Sequence, residues 1–259
     1  MALNPLPGVL PRALLLVTLM SLSWSCTPGS ETRPFEQSQR GLQVCPGPDT
    51  LEGIDVSYWQ GTIDWDSVAA AGIQFAFIRV SDGLNYPDTQ FDYNWTEAAR
   101  VGITRGAYQY FRPNQNPIDQ ADYLINTMGP LASGDLPPVI DVETDGGESP
   151  SVVADRVQQW LDHVEAAVGR RPIIYTAMYF WQSSVGTGNW DLYPLWAANW
   201  GVTCPNIPSP WTEWVFHQYT DSGSVSGISG NVDMNVFNGD LAALDAFTNV
   251  QPVCGDGVC

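Results

Sequence analysis

The sequence predicts an α/β fold, a modified TIM-like β/α barrel with eight strands and fewer than eight helices. Three observations predict it. Strand-like and helix-like stretches take turns from Leu51 to Asn249, the pattern of a mostly parallel sheet. Eight strand candidates fall within about 200 residues, which suits a small closed barrel. The last three leave little room for helices between them, and three prolines in Cys204 to Pro210 require a loop there. An open doubly wound sheet is the rival architecture. No Gly-x-Gly-x-x-Gly follows the first strand candidate and no P-loop is present, so nucleotide binding has no support.

Taken in order, Gly53 to Ser57 is a short apolar strand signal and Asp64 to Ala71 a short helix. Gln74 to Ser81, with Phe-Ala-Phe-Ile-Arg-Val in its middle, reads as a buried strand. Phe91 to Val101 reads as a helix and Gly106 to Phe111 as a strand with three aromatics. Pro117 to Met128 reads as a helix, with Pro117 tolerated in its first turn. Pro138 to Glu143 is a strand. Pro150 to Val168 is the clearest helix, because Val153, Val157, Trp160, Leu161, Val164 and Val168 recur on one face and Gly169 supplies a stop. Ile173 to Thr176, Leu195 to Asn199, Glu213 to Gln218 and Asn231 to Asn235 complete the strands.

Outside this domain, residues 1–25 read as a signal peptide: Arg12 precedes the apolar run Ala13 to Leu22, which is about half the roughly 20 residues of a membrane span. The protein is expected to be secreted or held at the cell envelope. Cys26 sits where a lipoprotein would be cleaved and lipidated, with Trp24 an ill-fitting neighbour, so ordinary secretion is preferred. Residues 26–50 read as a flexible N-terminal arm, 51–249 as the barrel, and 250–259 as a cysteine-containing tail. Cys45, Cys204, Cys254 and Cys259 admit three pairings that sequence does not choose between. Cys45 with Cys204 and Cys254 with Cys259 is the pairing expected.

Ten Lys and Arg against 28 Asp and Glu give a net charge of −18, which argues against nucleic acid and against an anionic lipid surface. A neutral glycan is compatible, and 11 Trp and 10 Tyr suit one. Two histidines leave little material for a zinc site, and no metal or cofactor is expected. No assembly motif is evident, so a monomer is the default.

Four carboxylates interrupt apolar strands near their C-terminal ends, where β/α barrels carry their chemistry: Asp55, Asp141, Glu143 and Asp233. Burying any one without a partner is expensive, so their recurrence points to one shared cavity. Asp141 and Glu143 are two apart on one strand and share a face. Two carboxylates so close raise one proton affinity, which provides the acid and the anion that glycoside cleavage needs. Glu143, longer and nearer the mouth, is the candidate general acid, and Asp141 the stabiliser or nucleophile. The bland alternative is a buried salt network with Arg79 or Arg112. Tyr110, Tyr175 and Trp196 are candidates for a sugar groove, with Tyr108 and Trp59 beside them. Asn199 and Gln218 are candidates for hydrogen bonds to an N-acetyl or hydroxyl group. His217 alternates with Gln218, so at most one of the two faces the cavity.

The opening Gly53-Ile-Asp-Val-Ser-Tyr-Trp-Gln-Gly61, the strand Pro138-Val-Ile-Asp-Val-Glu143, Tyr175-Thr176, Leu195-Trp-Ala-Ala-Asn199, Gln218-Tyr-Thr220 and Val232-Asp-Met-Asn-Val-Phe237 together resemble glycoside hydrolase family 25, the N-acetylmuramidases or Chalaropsis-type lysozymes. The resemblance covers about residues 51–247. It implies a modified β/α barrel and hydrolysis of the β-1,4 bond from N-acetylmuramic acid to N-acetylglucosamine in peptidoglycan. It implies that Glu143 is the proton donor, Asp141 its partner, and Asp55 and Asp233 the flanking acids. His217, where the family often has an aromatic, and Trp200 after Asn199 depart from the pattern. Two other readings stand beside it: a chitinase-like hexosaminidase, and a wall-binding module without catalysis.

Overall fold

The computed structural model describes residues 41–249. Eight strands form the barrel: β1 (Leu51–Val56), β2 (Phe75–Asp82), β3 (Thr104–Tyr110), β4 (Val139–Asp141), β5 (Ile173–Ala177), β6 (Leu195–Ala198), β7 (Phe216–Gly223) and β8 (Val232–Phe237). β1 to β7 pair in parallel with their sequence neighbours, and β8 is antiparallel to both β7 and β1, which closes the ring. The link 224–231 is shorter than the dozen or more residues a parallel crossover needs, so β8 can only turn back. All eight strands expected from sequence are present. The fourth ends at Asp141 rather than Glu143, although Val142 N still donates to the Tyr175 carbonyl at 3.0 Å.

Six α-helices accompany the strands among the described residues: α1 (Trp65–Ala70), α2 (Phe91–Arg100), α3 (Pro117–Met128), α4 (Pro150–Val168), α5 (Met178–Ser184) and α6 (Leu241–Thr248). The first four match expectation. Asn116 caps α3 ahead of Pro117, and Gly169 ends α4 in the left-handed conformation at φ 69°. The last two were not foreseen. No helix lies between β6 and β7 or between β7 and β8, as the proline-rich and short links predict.

Two apolar layers hold these elements. Outside the barrel, Trp160, Leu161 and Val164 of α4 pack with the outward residues of the strands. One buried polar chain crosses this layer: Trp160 Nε1 donates to Gln109 Oε1 at 2.9 Å and Gln109 Nε2 to Ser81 Oγ at 3.0 Å. Inside, Phe75, Phe77, Trp196, Phe216 and Phe237 fill the lower half, with Phe77 stacked on Trp196 at 4.2 Å between centroids. Gly53 and Gly106 make space for them. A Cβ on Gly53 would stand 2.3 Å from the Phe75 ring, and one on Gly106 2.7 Å from Phe77. Leu244 and Phe247 of α6 close the lower mouth beneath Phe216 and Phe237. Arg170 ties that helix down, its Nη2 donating to the Phe247 carbonyl at 2.9 Å.

The expected arm needs correction at its end. Residues 41–50 are not loose: Leu42–Gln43 pairs with Asn206–Ile207, Trp214 Nε1 donates to the Val44 carbonyl at 2.9 Å, and Cys45 is bonded to Cys204. The signal peptide, Cys26, the rest of the arm and the Cys254–Cys259 pairing lie outside the described residues. No helix among the described residues is long and apolar enough to cross a membrane.

Candidate active site

The upper half of the barrel opens into a cavity of about 440 Å³ whose wall holds Asp55, Asp141, Glu143 and Asp233 together. Strand register brings them there. Asp55 and Asp233 are direct cross-strand partners, and Asp141 sits opposite Tyr110 and Tyr175 on its two neighbours. Val142 turns into the outer core, so Asp141 and Glu143 share the inner face as their spacing requires.

Asp55 is the best anchored of the four. Its Oδ2 accepts from Gln218 Nε2 and from Asn235 Nδ2, each at 2.8 Å. Burial pushes its proton affinity up, and these donors pull it back. Asp233, hydrogen-bonded to Asp55, is pushed up to about 8 by burial, by the Asp55 charge and by that bond. The pair thus shares one proton, held on Asp233. Asp141 is only 5 % exposed and is raised well above the usual carboxylate range by burial, then by Glu143 and Asp55, with Arg79 opposing. Its Oδ1 is buried and has no hydrogen-bond partner among the described residues. Glu143 stands open to solvent at the mouth. The protein packed around its base still raises its proton affinity; Asp233 adds repulsion, and Arg112 draws it down.

Neither Arg79 nor Arg112 is bonded to Asp141 or Glu143. Arg79 Nε bonds Asp88 at 3.0 Å, and Arg112 makes a forked pair with Asp82 at 2.5 and 2.7 Å. The buried salt network considered from sequence is therefore absent at Asp141 and Glu143.

Of the residues expected to meet substrate, Trp59, Tyr108, Tyr110, Tyr175, Trp196 and Gln218 line the cavity, and Asn199 does not. Asn199 Oδ1 accepts from Asn206 N at 2.8 Å, which fixes the loop after β6. Trp196 points inward from β6, so a residue three further along points out. Trp196 lies at the floor, 1 % exposed, its Nε1 donating to Asn235 Oδ1 at 2.8 Å. Gln218 Oε1 accepts from Tyr175 Oη at 2.9 Å and Trp200 Nε1 at 2.8 Å, which leaves its amide nitrogen for Asp55. His217 turns the other way, with Nε2 donating to the Asn199 carbonyl at 2.9 Å. Trp59, 73 % exposed, and Trp200, 52 % exposed, stand among the residues lining the mouth. The turn carrying Trp59 is held by Ser57 N donating to Gln60 Oε1 at 2.9 Å and Tyr58 N to Asp88 Oδ2 at 2.9 Å.

Sequence reasoning passed over Arg79, Asp82, Arg112 and Asn235 as site residues. Asn235 was findable, since it lies two residues from Asp233 on the same strand. Arg79 and Asp82 were not: a bulge between Arg79 and Ser81 lets residues three apart both face the cavity.

A family model described as Glycosyl hydrolases family 25 matches residues 54–228. The chain belongs to that family. It is 35 % identical over 283 residues to Lysozyme M1 of Streptomyces globisporus, an alignment covering 93 % of this chain and 96 % of that protein. It is 30 % identical over 204 residues to the N,O-diacetylmuramidase of Chalaropsis sp, covering 71 % and 96 %. Among solved structures, the bacterial lysozyme from Streptomyces coelicolor superposes with a TM-score of 0.73 at 38 % identity, covering 78 % of this chain and 99 % of that one. This family 25 member is thus an enzyme, a glycoside hydrolase that works through acidic side chains, and the expected barrel is its fold.

Proposed function

We propose that this enzyme cleaves the β-1,4 bond between N-acetylmuramic acid and N-acetylglucosamine in peptidoglycan, with Glu143 as the general acid. The observation that carries this is the gathering of four carboxylates in one cavity, with the one of raised proton affinity nearest the mouth also open to solvent. Protonated Glu143 gives its proton to the leaving glycosidic oxygen. Asp141, with an unspent carboxylate oxygen, meets the positive charge that develops at the sugar carbon, as stabiliser or nucleophile. The Asp55–Asp233 pair keeps negative potential beneath that carbon and holds Gln218 and Asn235 in place. Trp59 and Trp200 offer ring faces to the flanking sugars.

The protein acts as a monomer, outside the cytoplasm, where the Cys45–Cys204 bond persists. A glycan partner suits a chain of net charge −18 better than a nucleic acid does. The test is digestion of peptidoglycan and of chitin oligomers by the parent and by Glu143→Gln. New muramic acid reducing ends from the parent, falling about 10²–10⁴-fold in the variant while wall binding persists, are expected. New glucosamine ends, or equal cutting by both proteins, would overturn the assignment.

A further inference from the structure

Beside the catalytic cavity lies a second one of about 630 Å³, walled by Tyr58, Trp59, Tyr86, Arg79 and Arg112 among others. Trp59, Arg79, Asp82 and Arg112 belong to both walls, so a ligand can occupy the two together. The second cavity is built differently. Its rim is aromatic and exposed, Tyr86 being 67 % exposed, and its wall holds Arg79 and Arg112 together with Asp82. Two guanidinium groups converge there in a chain that has only ten Lys and Arg against 28 Asp and Glu.

Arg79 is the less satisfied of the two. Its side chain is 12 % exposed, and its one hydrogen bond among the described residues runs from Nε to Asp88. Asp88 itself is already shared, since its two oxygens also accept from Tyr58 N and Gln90 N. The Tyr58 ring covers the guanidinium at 5.0 Å, which fixes its plane without using its N–H groups. Both Nη atoms therefore keep their donors uncommitted on a side chain that is largely buried yet lines both cavities. A planar fork of that kind matches a carboxylate. Arg112, whose Nε and Nη2 are engaged by Asp82, keeps Nη1 uncommitted on the same wall.

We infer that the second cavity is a subsite for a carboxylate borne by the glycan, taken by the Nη groups of Arg79 with Arg112 behind them. This rests on the muramidase reading and narrows it to strands bearing an acidic substituent. A plain N-acetylglucosamine polymer lacks such a group. A muramic acid strand carries one, either on its lactyl ether when peptide-free or on an attached stem peptide.

The test compares kcat/KM on four muramic acid oligomers in two pairs: peptide-free with the lactyl carboxylate or with lactyl carboxamide, and stem-peptide-bearing with its carboxylates free or amidated. The parent is expected to prefer the carboxylate form about tenfold, and Arg79→Gln to lose that preference. Whichever pair shows the preference identifies the source of the carboxylate. Because Arg79→Gln leaves the buried Asp88 without its cation, Arg112→Gln is measured too, and a preference reduced about threefold is expected. Equal rates on carboxylate and carboxamide in the parent, or a preference unchanged in the folded variants, would overturn the subsite alone. No cleavage of any muramic acid oligomer by the parent would overturn the muramidase reading and the subsite with it.

Discussion

Asp233 shows what a single side chain does in this site. Its carboxyl is pushed up to about 8, and once it ionises its charge raises the proton affinity of Glu143. Replacing it by asparagine removes that repulsion, so Glu143 loses its proton at lower pH. The alkaline limb of the kcat/KM profile is therefore expected to move down in Asp233→Asn, measured on soluble glycan. A limb that stays or moves up would show that Asp233 does not act on the proton donor. The same group affects folding. A carboxyl raised in the native state holds a proton that the unfolded chain releases, so its contribution is present below the unfolded value near 4 and lost as pH rises through about 8. Thermal unfolding of the parent is expected to fall across that window and to fall less steeply in Asp233→Asn. Legibility at this scale was uneven. Asp55, Asp141, Glu143 and Asp233 stood out because each breaks an apolar strand. Asn199 misled, because its type fits a sugar while its parity against Trp196 turns it outward.

At the scale of the element, inward glycines and inward aromatics are paired. Gly53 on β1 exists so that the Phe75 ring can occupy the barrel axis beside it. Gly53→Ala forces a clash with that ring, and overpacking of this kind is expected to destabilise by about 1–3 kcal/mol, read by denaturant unfolding. An unchanged midpoint would mean that the ring moves freely. The strands themselves were readable because fully buried parallel strands are short apolar runs between turn signals. The bulge in β2 was not readable. It breaks the two-residue alternation, and that break puts Arg79 and Asp82 on one wall. α6 also escaped, although Asp240 caps it at Ala243 N and Leu244 and Phe247 mark its buried side. Eight residues after the last strand carry too few turns to establish a period.

At the scale of the molecule, one covalent link closes a long loop. Cys45 and Cys204 are 159 residues apart, and the bond pins residues 41–50 against the loop after β6. In the loop-entropy account, such a closure contributes up to about 5 kcal/mol. The paired serine variant, Cys45→Ser with Cys204→Ser, is expected to melt about 10 °C lower, at roughly 2–4 °C per kcal/mol for a domain of this size. Equal melting temperatures would show that strand pairing at Leu42–Gln43 suffices.

The stopper beneath the barrel has a consequence for how a polymer is handled. With Leu244 and Phe247 filling the bottom, what enters from above must leave by the same door. A glycan many sugars long cannot be drawn through; it has to lie over the rim with both ends trailing into the wall. Bonds in the middle of a strand are then as reachable as those near its ends. Early digests should contain fragments of broad length rather than a ladder of disaccharides.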